Sequence, residues 1–284
     1  RRQRQMCIRD RADDMLKARE FALDLDQLNQ TRKEIEAGMK LEALEICQNL
    51  TALFKELPSG IALYQPDWHQ GVLGIVSSRI KEQYHRPVIA FAKDGEGVLK
   101  GSARSIEGLH MRDVLERIHS QHPNMILKFG GHAMAAGLSL REEHFDDFQH
   151  IFNQTVADWL DEEHLQGVIW TDGELNSNEF NLETAELIKS AGPWGQAFPE
   201  PCFDGEFKIL DQRAIGQNQN HLKMLVEPKQ GGPLLDAVAF NIDTRLYPDL
   251  SIKQARFAYK LDVNEFRGNR NVQLLVEYIE AIDE

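Results

Sequence analysis

Residues 128–137 read KFGGHAMAAG. Gly130 and Gly131 permit positive φ angles and let another group come close to the main chain. His132 is then displayed at the mouth of a turn. Ala133, Ala135, Ala136 and Gly137 suit a helix start packed tightly on its neighbours, so a helix is expected to open here. A helix N-terminus offers free N–H groups and partial positive charge to an anion such as phosphate. The plainer reading is a tight turn before a buried Ala-rich helix, with His132 a satisfied polar residue of the core. Alone, the stretch leans to the plainer reading; the residues around it reverse that.

Working outward, residues 61–140 alternate strand and helix patterns. Residues 61–64 (IALY) read as a short buried strand and 87–92 (PVIAFA) as a stronger one. A loop at 68–74 runs into a helix over 75–84. Asp94-Gly95-Glu96-Gly97 is a turn, and 98–105 is its hairpin partner. Helix is expected at 111–121, strand at 125–129 and 138–140, and an amphipathic helix at 142–160. These make an α/β domain over residues 58–160, an ordinary size.

Upstream, residues 12–57 read as one long connector helix. Leu25, Leu28, Ile35, Met39, Leu44 and Cys47 recur near helical spacing among charged residues. Thr31 and Glu34 have capping-box spacing. Gly38 marks a place for a kink or close contact, since glycine costs about 1 kcal/mol there. Residues 1–11 share no pattern with the rest, resemble a translated sequencing adapter and are excluded as an artefact. The chain thus reads as a fragment. Downstream, residues 161–200 read as an acidic linker with a short helix (182–190) packed between domains. Residues 201–284 hold five short strands joined by Gly, Pro and Asn turns, the pattern of an oligonucleotide-binding (OB) barrel; a β-sandwich has the same strand count. The expected fold class is therefore α/β plus all-β.

Hydrophobic residues form 42% of the 284, enough for real cores. No run approaches the ~20 apolar residues of a membrane span. Cys7, Cys47 and Cys202 form neither a disulfide framework nor a CxxC metal site, which points to a reducing cytoplasm. The net charge of −13 is unevenly spread. Residues 141–200 hold two Lys/Arg against fourteen Asp/Glu, whereas residues 60–140 hold nine against seven, a net of +2. Fields are screened beyond about 8 Å at physiological salt, so a locally basic surface can still hold a phosphate chain.

In Lys100-Gly-Ser-Ala-Arg-Ser105, Ser102 and Arg104 lie two apart on a strand and face the same side. Arginine grips phosphate through two parallel charge-assisted bonds. An exposed polar strand edge would look the same. The stretch from His69 to Arg79 adds His69, Gly71, Gly74, Ser77 and Arg79, with ordinary capping and packing as the alternative. In the barrel, Phe266 is placed to stack a base, and Arg267 and Arg270 to meet phosphates, as in single-strand binders. Phe207, Lys208, Lys223 and Lys260 would help if they share a face. No metal site is expected: His144, Asp146, Asp147 and His150 read as a solvated helix face. There is no P-loop and no GxGxxG.

Taken together, FGGHAMAAG, WHQGVLGIVSSRIKEQYHRPVIAFA, LKGSARSIEGLHMRD, GPWGQAFPEPCFDG and NEFRGNRNVQL resemble the RecJ family of single-stranded-DNA-specific exonucleases, within the DHH phosphoesterase superfamily. The resemblance covers roughly residues 20 to 280. It implies a catalytic DHH domain, a connecting helix, a DHH-associated α/β domain and an OB domain. The last three are legible in this chain; nothing matches a DHH signature. By the same resemblance, the Mn2+ or Mg2+ ions of the full-length enzyme belong to the DHH domain, and this chain binds none. Ser102 and Arg104 match an SxR element that holds the 5′ end or scissile phosphate. Gly130, Gly131 and His132 match a GGH motif that closes on substrate across from the metals, with His132 in the catalytic role. His69 and Arg79 match a further part of the same domain. The implied function is the substrate-binding half of a 5′→3′ exonuclease in DNA recombination and repair. Single-stranded DNA is the implied partner, other repair proteins are left open, and no membrane is involved. The alternatives are a stand-alone single-strand-binding module and a DHH phosphoesterase of short oligonucleotides.

Overall fold

A computed structural model describes residues 14–54, 57–195, 198–216, 219–242, 244, 246–266 and 268–282. The supposed artefact at 1–11 and Arg267 lie outside these. The chain divides into two compact units, one up to Gly167 and one from Val168.

The first unit opens with α1 (Met15–Phe54), 40 residues without a break. Thr31 and Glu34 lie inside it, so they cap nothing. A Cβ on Gly38 would meet nothing within 4 Å, so no neighbour presses there. Only the later turns are seated: Met39, Ala43 and Cys47, spaced four apart, are buried, while Leu16, Leu23 and Leu28 are exposed.

A five-stranded sheet follows, in the order β1 (Ile61–Tyr64), β2 (Val88–Lys93), β3 (Val98–Arg104), β5 (Ala135–Arg141), β4 (Ile126–Gly131). β1 and β2 are parallel, joined by a 3-10 turn (Gln70–Val72) and α2 (Leu73–Tyr84); the other pairs are antiparallel. Alternation along β2 sorts the two faces. Val88, Ala90 and Ala92 pack with α1 and α2. Ile89 and Phe91 pack with α3 (Met111–Gln121) and α4 (Phe145–Trp159). At the β1 border, the Gln149 amide of α4 donates to the Ala62 carbonyl at 2.7 Å. Asn153 Oδ1 accepts from the Gly60 N–H at 3.2 Å.

The expected helix after His132 is absent: the stretch is a hairpin between β4 and β5. Alanine favours helix only weakly as a prior, and tertiary pairing overrides it. Ala136 is buried against the α3–α4 core, and Gly137 pairs with both Ser102 and Gly130, so the small residues serve a strand inside a sheet. Gly131 has φ 151°, and a Cβ there would lie 2.5 Å from the Ala135 carbonyl oxygen. The reversal therefore requires glycine at Gly131. The helix-terminus anion site falls with the helix.

The second unit is a closed barrel, β10-β8-β7-β6-β9, built from β6 (Phe203–Ile215), β7 (His221–Pro228), β8 (Leu235–Ala239), β9 (Gln254–Phe266) and β10 (Asn269–Ala281). β10 pairs parallel to β8 and the remaining pairs are antiparallel. Closure excludes the sandwich. β6, β9 and β10 each run 13 residues, well past the expected lengths. From Val168 onward, the stretch expected as a linker belongs to this unit. Phe180 and Ala185 lie in the barrel core, and the Asp172 N–H donates to the Cys202 carbonyl at 2.7 Å. The short helix α5 (Leu182–Ala191) thus packs on the barrel because it brings its own apolar face.

Candidate functional site

The register of β3, β5 and β4 places the sequence-predicted residues in rows across one sheet face. Ser102 is opposite Gly137, which is opposite Gly130. Arg104 is opposite Ala135, whose carbonyl accepts from the His132 N–H at 2.9 Å. Cross-strand neighbours share a face, and Ser102 pairs with Ala90 of the α1–α2 side. Ser102, Arg104, Gly130 and Gly137 therefore stand on the same face, and His132 lies in the turn just past the end of β4. Gly130, Gly137 and His132 are exposed. His132 is thus displayed on the surface and is no core histidine.

The start of α2 sits against this row. Ser77 donates its hydroxyl to the Ser102 carbonyl at 2.8 Å and accepts from the Ala90 N–H at 3.2 Å, fixing helix to strand. A Cβ on Gly74 would lie 2.7 Å from Arg104 Nη2 and 3.2 Å from Ser102 Oγ. The glycine leaves room for the guanidinium, which folds back along β3. Arg104 Nη1 donates to the Ala103 carbonyl at 2.8 Å and reaches Ser102 Oγ at 3.4 Å. Among the described residues no carboxylate pairs with Arg104. A cation held by neutral groups beside a hydroxyl, half-buried, is arranged to accept an anion.

The other predicted residues are drawn elsewhere. His69 caps the 3-10 turn, its Nδ1 accepting from the Gly71 N–H at 3.0 Å. Arg79 turns to Glu36 of α1 at 3.7 Å and Glu82 at 3.2 Å, tying α2 to the long helix. In the barrel, Phe266 is exposed at the end of β9. Arg270 is held by Glu186 at 2.7 Å and Glu265 at 2.8 Å. The four barrel residues that would help on a shared face do not all share one. Phe207 is in the core, since alternation turns it away from Lys208. Lys223 pairs with Asp236, and Lys260 with Glu277 and Glu200.

Sequence reasoning gave no role to Lys128. It belongs to the row of Lys100 and Ser139 on the same open face. The signal was present: residues 128, 130 and 132 have the parity of one strand face, legible once the stretch is read as β.

An α/β sheet domain followed by a five-stranded barrel is the make-up of a DHH-associated substrate domain joined to an OB domain. Residues 52–158 match the DHHA1 domain model, and residues 171–278 match that of the RecJ OB domain, beginning inside the stretch expected as a linker. The chain belongs to the RecJ family. It is 89% identical over 273 residues to the single-stranded-DNA-specific exonuclease RecJ of Haemophilus influenzae, covering 96% of this chain and 48% of that protein. For the Escherichia coli protein of the same name the identity is 57%, covering 94% and 46%. The chain thus spans about half the length of the curated relatives it matches. A crystal structure of Thermus thermophilus RecJ in complex with Mn2+ shares the fold, with TM-score 0.69 at 23% identity over 96% of this chain and 38% of that one.

Proposed function

We propose that this chain is the strand-holding half of a single-stranded-DNA-specific 5′→3′ exonuclease, a phosphodiester hydrolase of DNA recombination and repair in the cytoplasm. One observation carries the reading: Ser102, Arg104 and Gly130 share one open sheet face, with an arginine that has no carboxylate partner among the described residues and with the His132 N–H bonded to the Ala135 carbonyl at the end of the Arg104 row. Arg104 grips a phosphate of the unpaired strand with the nitrogens it leaves unused, and Ser102 adds a hydroxyl. Bare backbone at Gly130 lets the nucleotide lie close. His132, the catalytic residue of this reading, meets the terminal nucleotide from the far end of the Arg104 row. Holding the scissile group in one pose is a catalytic contribution in itself. Phe266 supplies an aromatic surface for a base further along. Arg270 would first have to leave two carboxylates, so stacking outweighs charge at that tip.

The relatives' crystal structures were solved with Mg2+ and with Mn2+. Among the described residues no group of three or more His, Cys, Asp or Glu is placed to hold a metal. We assign the metal to the part of the relatives that this chain does not span. No helix among the described residues is long and apolar enough to cross a membrane.

The test compares the chain with a complete RecJ enzyme. The chain alone should bind an unpaired oligonucleotide weakly and leave it uncut in Mn2+. Arg104→Ala in the complete enzyme should lower kcat/KM for single-stranded DNA by roughly a hundredfold, the loss of a charge-assisted grip on phosphate. Turnover near that of the wild type would remove the phosphate role.

A further inference from the structure

Beside the Ser102 row lies another that carries charge. Lys100 of β3 is opposite Ser139 of β5, which is opposite Lys128 of β4. Both lysines line a shallow depression of about 240 Å³, with Gly130, Gly137 and Ser139 among its walls. Lys128 has no carboxylate partner among the described residues, and Lys100 has only Asp94 at 3.9 Å. Asp94 is itself shared with the Gln70 amide at 3.0 Å.

The two glycines between the charged groups are unexplained by the protein. A Cβ on Gly130 would meet nothing within 4 Å, and one on Gly137 only the Gly101 carbonyl oxygen at 3.8 Å. Neither has a positive φ. They contrast with Gly131, which the turn requires. What they leave is a flat floor of backbone between one cationic group and the next.

Spacing completes the picture. Rows two residues apart on a strand are roughly 6.7 Å apart. Arg104 folds back onto Ser102, so its guanidinium and the Lys100–Lys128 row are separated by about one such step. That is close to the interval between successive phosphates of a stretched single strand. We propose that Lys100 and Lys128 form a second phosphate subsite, which takes the next phosphodiester of an unpaired strand while its sugar or base lies on Gly130 and Gly137. This rests on the Ser102–Arg104 phosphate reading.

The experiment titrates the chain with a fluorescent oligo-dT decamer and competes it with thymidine 5′-monophosphate and with pdTpdT. In Lys100→Gln/Lys128→Gln, affinity for pdTpdT and the decamer falls roughly fivefold or more, while that for the monophosphate holds. The slope of log affinity against log salt shrinks by about 0.7, one phosphate contact on a single strand. Arg104→Ala weakens all three ligands. Gly130→Ala keeps its melting temperature and weakens the decamer. If the lysine variant binds pdTpdT like the wild type while Arg104→Ala is impaired, the second subsite is wrong and the first stands. If Arg104→Ala also binds normally, or the wild-type chain binds nothing, the underlying reading goes and the subsite with it. An unimpaired Gly130→Ala removes the flat contact.

Discussion

Gly74 and Gly131 are glycines for opposite reasons, and an alanine at each separates them. At Gly74 the obstacle to a Cβ is the end of the Arg104 side chain, 2.7 Å away, which can swing aside. Alanine is also better than glycine in a helix by about 1 kcal/mol. Gly74→Ala should therefore keep or raise the melting temperature while lowering affinity for single-stranded DNA about tenfold, the value of one charge-assisted bond. Unchanged affinity in an anisotropy titration would show that the guanidinium has no need of that place. At Gly131 the obstacles are the Ala135 carbonyl oxygen and the Ala136 Cα, both at 2.5 Å and both backbone. Gly131→Ala should cost about 2–4 kcal/mol in urea unfolding. Ser102 and Arg104 were legible because alternation on a strand is a local rule. The tie from Arg79 to Glu36 was not, since Glu36 is far away in sequence and only the packing of α2 on α1 brings it near.

Among the elements, strands with apolar cores were easy to find, and the hairpin at 128–137 was not. Its Ala and Gly residues carry no period, so local propensity pointed to helix while pairing with β3 decided for strand. Strand ends failed likewise: the 13-residue arms of β9 and β10 run past their buried part into exposed residues, which hydrophobic patterning does not register. One side chain fastens the start of β6. Asp204 accepts from the Thr171 hydroxyl at 2.6 Å and from Arg256 Nη2 at 2.5 Å. The Thr171 hydrogen bond, then the Arg256 guanidinium, hold its carboxyl below the usual carboxylate range. A lowered folded-state pKa adds stability that is present above the unfolded value and lost as pH falls through the folded one. Asp204→Asn should thus destabilise the barrel at pH 7 by about 1–2 kcal/mol, with the gap to wild type closing below the carboxylate range. Chemical denaturation at pH 7 and pH 3 checks this, and a gap independent of pH would dismiss the charge.

At the scale of the chain, the composition shift at 161–200 was read as a boundary, yet acidity marks a surface and says little about what lies beneath it. The apolar residues embedded there, Phe180 and Ala185, assign its part from Val168 to the barrel, whereas Leu165 packs on the first unit's core. A polypeptide beginning at Val168 should fold cooperatively on its own, with a single melting transition by circular dichroism. One beginning at Pro201 should melt far lower or fail to fold, having lost those side chains and the Asp172–Cys202 bond. Equal melting temperatures would return the stretch to the role of a tether.

The border of the sheet at β1 has a wider consequence. A raw edge of backbone invites foreign strands, and many proteins aggregate by that route. Here the amides of Gln149 and Asn153 already occupy the Ala62 carbonyl and the Gly60 N–H. At the opposite margin, β4 is kinked by a register shift between Ile126 and Lys128 and studded with a lysine. Both selvages thus resist polypeptide stitching, while the broad glycine-floored face stays bare. A sheet whose plane is open must still avoid pairing with its own kind, and here the plane is left free while both hems are closed to a foreign strand.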